Sequence, residues 1–88
     1  MPPRLLAAVR VRVGLLPADT RDVLHAAAIL GQSFATGTLA VVLGMDAAEA
    51  GRRLEPAIAS GLVVRDDARR LRFAYPLLRQ AVDALGRG

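Results

Sequence analysis

Six arginines in one short stretch, Arg52, Arg53, Arg65, Arg69, Arg70 and Arg72, are the residues of this 88-residue chain best suited to chemistry. Guanidinium groups donate in a planar fork that matches phosphate oxygens, so the chemistry they offer is binding. Twelve arginines, no lysine and a net charge of +4 permit an acidic partner. The lack of lysine excludes a P-loop, whose GxxxxGK[ST] motif needs that side chain on the phosphates. Catalysis has little to draw on. His25 is the sole histidine and has no Ser, Cys or paired carboxylate beside it, so it reads as a boundary side chain satisfied by one hydrogen bond. Ser33 and Ser60 fall in connector and cap contexts, and Glu49 and Glu55 in positions for surface pairing, so the chain is not expected to be an enzyme. Without cysteine there is neither a disulfide nor a thiolate metal site, and no metal or other cofactor is expected.

The elements that must position these arginines are a helix and a hairpin between Gly44 and Phe73. Asp46 can accept from the free N–H groups of the next turn, and Glu49 can reach back to the Asp46 N–H, a carboxylate capping box. Ala47, Ala50, Leu54, Ala57 and Ile58 share one face at helical period, with Arg52, Arg53 and Glu55 elsewhere. Pro56 removes one bond near the end of this helix, and Gly61 can close it through positive φ. Leu62-Val63-Val64 then reads as a strand, Arg65 to Arg70 as a polar turn through Ala68, and Leu71-Arg72-Phe73 as the returning strand.

Arg4 to Leu16 alternates like a strand over Val9 to Val13, yet Leu5, Val9, Val13 and Leu16 also repeat like a helix face, and its Ala and Leu content favours helix. Leu16-Pro17 ends it and starts a second helix, with Asp19 and Asp22 near its N-terminus and Gly31 at its close. Val23 to Leu30 is apolar apart from His25, which predicts a nearly buried helix. Gln32 to Ala35 reads as a connector with Phe34 plugging the core, and Thr36 as the N-cap of a short helix presenting Leu39, Val42 and Leu43 before Gly44. After Ala74-Tyr75-Pro76, the positions Leu77, Leu78, Ala81, Val82 and Leu85 form the face of a last helix, frayed at Gly86-Arg87-Gly88. The fold class expected is mainly α with a small two-stranded β-hairpin, a winged helix-turn-helix. Residues 1–16 form a helix that continues from an upstream domain or caps the core, and residues 17–88 the winged-helix domain. No apolar run approaches the roughly 18 to 20 residues of a membrane span, and a cytoplasmic protein without membrane contact is expected.

In order along the chain, Arg12-Val13 before Leu16-Pro17, Ala27-Ala28-Ile29-Leu30-Gly31 with Phe34, Leu54-Glu55-Pro56, Ser60 to Val63, Phe73, and Leu77 to Ala81 form a set. From about Val11 to Leu85 this set resembles the winged-helix segment that follows the ATPase core in STAND-class signalling ATPases, notably the large ATP-binding LuxR-type transcriptional regulators. The resemblance implies a regulatory module that packs against the nucleotide-binding core and helps hold its closed state. It also implies that Tyr75 stands at a nucleotide-facing position typically held by histidine, and that Arg79 matches the family's helix arginine. Tyrosine can donate a hydrogen bond there but does not carry charge near neutral pH, and an aromatic anchor for the last helix is the other reading of Tyr75. The ATPase core and the DNA-binding domain of such regulators are not within these 88 residues.

Two functions follow. The first is a non-catalytic regulatory module whose partner is an ATPase domain of the same or a neighbouring chain. The second is a free-standing winged-helix DNA binder, with Arg52 and Arg53 on the recognition helix and Arg65, Arg69, Arg70 and Arg72 on the wing. Charge pairing favours the first: Glu49 is spaced for Arg53 and Glu55 for Arg52, and Asp66 and Asp67 reduce the wing to net +2.

Overall fold

The computed structural model describes residues 1–67 and 69–87. Its elements are α1 (Pro3–Gly14), α2 (Ala18–Leu30), β1 (Ser33–Ala35), α3 (Thr36–Leu43), α4 (Ala47–Ala59), β2 (Val63–Arg65), β3 (Arg70–Phe73) and α5 (Pro76–Arg87). Among the described residues these make a mostly helical domain of five helices with an open antiparallel sheet in the order β1-β3-β2. The parts of the expected turn and frayed end that fall on Ala68 and Gly88 lie outside the described residues.

The sheet corrects the expectation of a two-stranded hairpin. Ser33 to Ala35 is an edge strand rather than a connector, paired as Ser33↔Arg72, Phe34↔Leu71 and Ala35↔Arg70. Its hydrophobic signal is too short to read locally, because three residues become a strand only once β3 supplies their hydrogen-bond partners. The same register turns Phe34, Leu71 and Phe73 inward, with the two phenylalanine rings 5.9 Å apart and tilted by 56°. Pairing of Arg65 with Leu71 places Arg65 on the helix-facing side of the sheet, which brings it to α4.

Between Arg4 and Leu16 the helical alternative holds, and Val9, Val13 and Leu16 join the common core as α1 packs against α5. Arg12 Nη2 also donates to the Ser60 carbonyl at 2.6 Å, tying α1 to the end of α4. The core joins Leu24 and Ala27 of α2, Leu54 and Ala57 of α4, and Leu78 and Val82 of α5. Both α3 and α4 end in the Schellman pattern. Met45 N–H bonds to Ala40 O and Gly44 N–H to Val41 O, while Leu62 N–H bonds to Ala57 O and Gly61 N–H to Ile58 O. The glycines sit at φ 70° and 80°, values that a side chain would resist. α4 runs past Pro56 to Ala59, as a proline near a helix end loses only one bond.

Several apolar positions face outward against expectation. Ile29 is 72% exposed, Val42 60% and Leu77 38%, and Ala47 is exposed as well. The helices carry more apolar residues than one stripe can bury against their neighbours, so those flanking the stripe remain in solvent. Thr36 is not a cap: it begins α3, its backbone N–H bonds to Arg69 O at 3.0 Å, and Ala35 occupies the cap position.

Candidate functional site

The arginines singled out from the sequence lie on α4 and on the β2–β3 hairpin, and four of the six are held by carboxylates of the same domain. Asp46 caps α4 as expected, its Oδ1 accepting from Glu49 N–H at 2.8 Å. The return half of the capping box is replaced. The Glu49 carboxylate instead accepts from Arg52 Nη2 at 2.6 Å, Arg52 Nε at 3.0 Å and Arg53 Nε at 2.8 Å. Hydrogen bonds from Arg52 and then Arg53 lower the Glu49 pKa to about 2. Arg52 also approaches Asp19 of α2 at 3.9 Å.

Glu55 pairs with Arg65 at 2.6 Å rather than with Arg52, because β2 runs beside α4 and presents a nearer guanidinium. On the outer face of the sheet Asp66 holds Arg72 at 2.8 Å. Asp67 is spent on the backbone, its Oδ1 accepting from Arg69 N–H at 2.8 Å and Arg70 N–H at 2.9 Å, an Asx arrangement that shapes the turn. Two guanidinium groups are left. Among the described residues Arg69 and Arg70 have no carboxylate partner, and Arg70 Nη2 donates only to Ser33 Oγ at 3.2 Å.

Between α4, the start of α3 and the hairpin lies a half-open groove of about 500 Å³. Gly37, Ala47 and Gly51 lie along it, Thr36 and Thr38 border it, and Arg65 and Arg69 stand over it. A smaller hollow of about 190 Å³ adjoins it, sharing Ala35 and Thr38 and lined also by Leu30 and Arg70. Sequence reasoning found the arginines but not this groove. The signal was a glycine inside a helix: Gly51 interrupts the good helix formers of α4, and a Cβ there would meet nothing nearer than Thr36 Cγ2 at 3.9 Å.

Tyr75 lines neither hollow. Its side chain is 41% exposed at the bend before α5, and its carbonyl accepts from the Leu78 and Arg79 N–H groups. Arg79 reaches back from α5 to the last turn of α2, Nη1 donating to Ala28 O at 3.1 Å. A cation at a helix C-terminus meets both an unpaired carbonyl and the negative end of the dipole. His25 bonds once, from Nδ1 to Val82 O at 3.2 Å, which puts the ring proton on Nδ1. A Cβ at position 86 would fall 2.9 Å from that nitrogen, so glycine there leaves room for the ring. Among the described residues, no three His, Cys, Asp or Glu side chains gather as a metal site would require, and no helix is long and apolar enough to cross a membrane.

Comparison of the chain with protein-family models, with curated proteins and with solved structures finds no match.

Proposed function

We propose that this chain is a non-catalytic winged-helix regulatory module that works by packing against a partner domain, the ATPase core of a STAND-class, LuxR-type transcriptional regulator. The path from α2 through β1, α3, α4 and the β2–β3 hairpin, with β3 as the central strand, supports a winged helix-turn-helix with α4 in the recognition position and the hairpin as wing. The resemblance of the chain from Val11 to Leu85 supports the kind of partner. Regulation would operate by biasing two arrangements of the core, with this module favouring one of them.

The observation that carries packing over DNA reading is the internal closure of the basic residues. Arg52 and Arg53 share Glu49, Arg65 holds Glu55 and Arg72 holds Asp66, so contact with phosphates would first have to break those pairs. The outer side of α4 offers Ala47, Gly51 and Arg52 in place of Asn or Gln side chains that read adenine edges. Large apolar side chains are also exposed: Val41 is 82% exposed on α3, and Val11 and Leu15 are 65% and 82% exposed on and just after α1.

The test is binding to a short unrelated DNA duplex over a range of salt. The expected outcome is no measurable affinity at physiological ionic strength. Micromolar binding at low salt that falls steeply, with a slope implying several released counterions, would overturn the packing reading in favour of a winged-helix DNA binder using Arg52, Arg53, Arg65, Arg69, Arg70 and Arg72.

A further inference from the structure

We infer that the groove between α4, the start of α3 and the hairpin docks an acidic, small-side-chain segment of the partner protein. This rests on the packing reading above and names the chemistry of what is packed. Three features of the groove point to that occupant. Its lining carries charge of one sign: Arg65 and Arg69 line the larger hollow and Arg70 the smaller, and no Asp or Glu lines either. Arg69 and Arg70 lack carboxylate partners among the described residues, while each of the other four candidate arginines has one. Of these six arginines, the two with unmet charge therefore both stand at the groove, where they complement a carboxylate brought from outside.

The rest of the lining is small and carries no charge. Ala35, Gly37, Ala47 and Gly51, with Thr36 and Thr38 at the border, leave about 500 Å³ unfilled beside the arginines, room for small side chains rather than bulky ones. The fold does not need the space to be empty. A Cβ on Gly37 would meet nothing within 4 Å, and one on Gly51 only a methyl at 3.9 Å. The hollow continues past Ala35 and Thr38 to Leu30 and Arg70, so an occupant can lie along it and meet guanidinium groups at both ends. Duplex DNA fits less well, since it offers phosphates and no small apolar side chain for the floor, and only two of the six arginines of α4 and the hairpin are without a carboxylate partner among the described residues.

Backbone amide spectra of the full chain, titrated with three probes, test this. The probes are a peptide alternating Glu with Ala, its counterpart alternating Lys with Ala, and an unrelated DNA duplex. The Glu peptide is expected to shift the amide signals of Thr38, Gly51 and Arg69 to saturation, and the Lys peptide to shift none. Arg69→Glu is expected to weaken binding at least about tenfold. Gly51→Met, which fills the groove, is expected to weaken it comparably while the signals of buried Leu54 and Leu71 stay in place, so that lost binding is not lost folding. No saturable shift with the Glu peptide overturns the inference and leaves the packing reading standing. Shifts spread over Arg4, Arg10 and Arg87, or undiminished binding by Gly51→Met, also overturn it by showing general attraction to a cationic surface. Tighter binding of the duplex at the same amides overturns both this inference and the packing reading.

Discussion

Two sides of α4 are made by different rules. Toward the core, where α4 packs on α2 and α3, Ala50, Leu54 and Ala57 are completely buried. Toward the first turn of α3 and the hairpin, Ala47 is exposed, Gly51 borders an open groove and the arginines are held by ion pairs. The inner side is fixed by shape, because close packing makes each side chain answer to its neighbours. The outer side is fixed by pairing between exposed ions, each contributing little to stability, so its residues are free to be chosen for a partner.

The sharpest way to break that comparison is to cut into the inner side. Leu54→Ala removes a fully buried side chain from a core built largely of small residues, and a loss of about 2 to 5 kcal/mol is expected. Urea unfolding followed by far-ultraviolet circular dichroism measures it, as a lower midpoint at unchanged slope. A loss under about 0.5 kcal/mol, the range of surface substitutions, would mean that the inner side is not what holds the domain together.

Adding matter to the outer side should do the opposite. Gly51→Ala places a methyl in ordinary contact with Thr36 Cγ2 at 3.9 Å and removes the flexibility of a glycine inside a helix. A gain of about 0.5 to 1 kcal/mol is expected from helix propensity alone, read as a higher midpoint in the same unfolding experiment. A loss instead would show the groove to be more tightly set by the fold than its open volume implies.

What could be read from the sequence divides along the same line. The inward face of α4 was legible because Ala50, Leu54 and Ala57 repeat at helical period, and its ends because Asp46 and Gly61 carry specific backbone chemistry. The expected single hydrogen bond of His25 is present. Periodicity reports a stripe without its width, and so Ala47, Ile29, Val42 and Leu77 were placed inside when each lies beyond its neighbours' reach. β1 was missed because its partners stand some 37 residues further along the chain, and pairing across that distance leaves no local trace. The same limit governed the ion pairs. The pairing of Glu49 with Arg53 follows from helical spacing, whereas Glu55 turned to Arg65, a partner that only the approach of β2 to α4 could supply. A groove bordered by three separate elements is the least legible feature of all, since its floor is defined by side chains that are absent.

The finest test lies in the Glu49 cluster, on which the closure of the outer side depends. Hydrogen bonds from Arg52 and Arg53 hold the Glu49 carboxyl down to a pKa of about 2, below the value of about 4.3 expected in an unfolded chain. A lowered folded-state pKa stabilises the domain fully above the unfolded value, and that contribution disappears as pH falls through about 2. Glu49→Gln lacks this carboxylate at every pH. The gap in thermal midpoint between the natural chain and Glu49→Gln should therefore be widest above pH of about 5, narrow steadily on acidification, and close toward pH of about 2. The effect should be small, and smaller still in high salt, because Glu49 and both arginines remain partly exposed. Other carboxylates titrate in both proteins and largely cancel in the difference. A gap that ignores pH would mean that Glu49 does not hold these arginines in solution. Arg52 and Arg53 would then be free to face phosphates, and the outer side of α4 would have to be reconsidered as a surface for DNA.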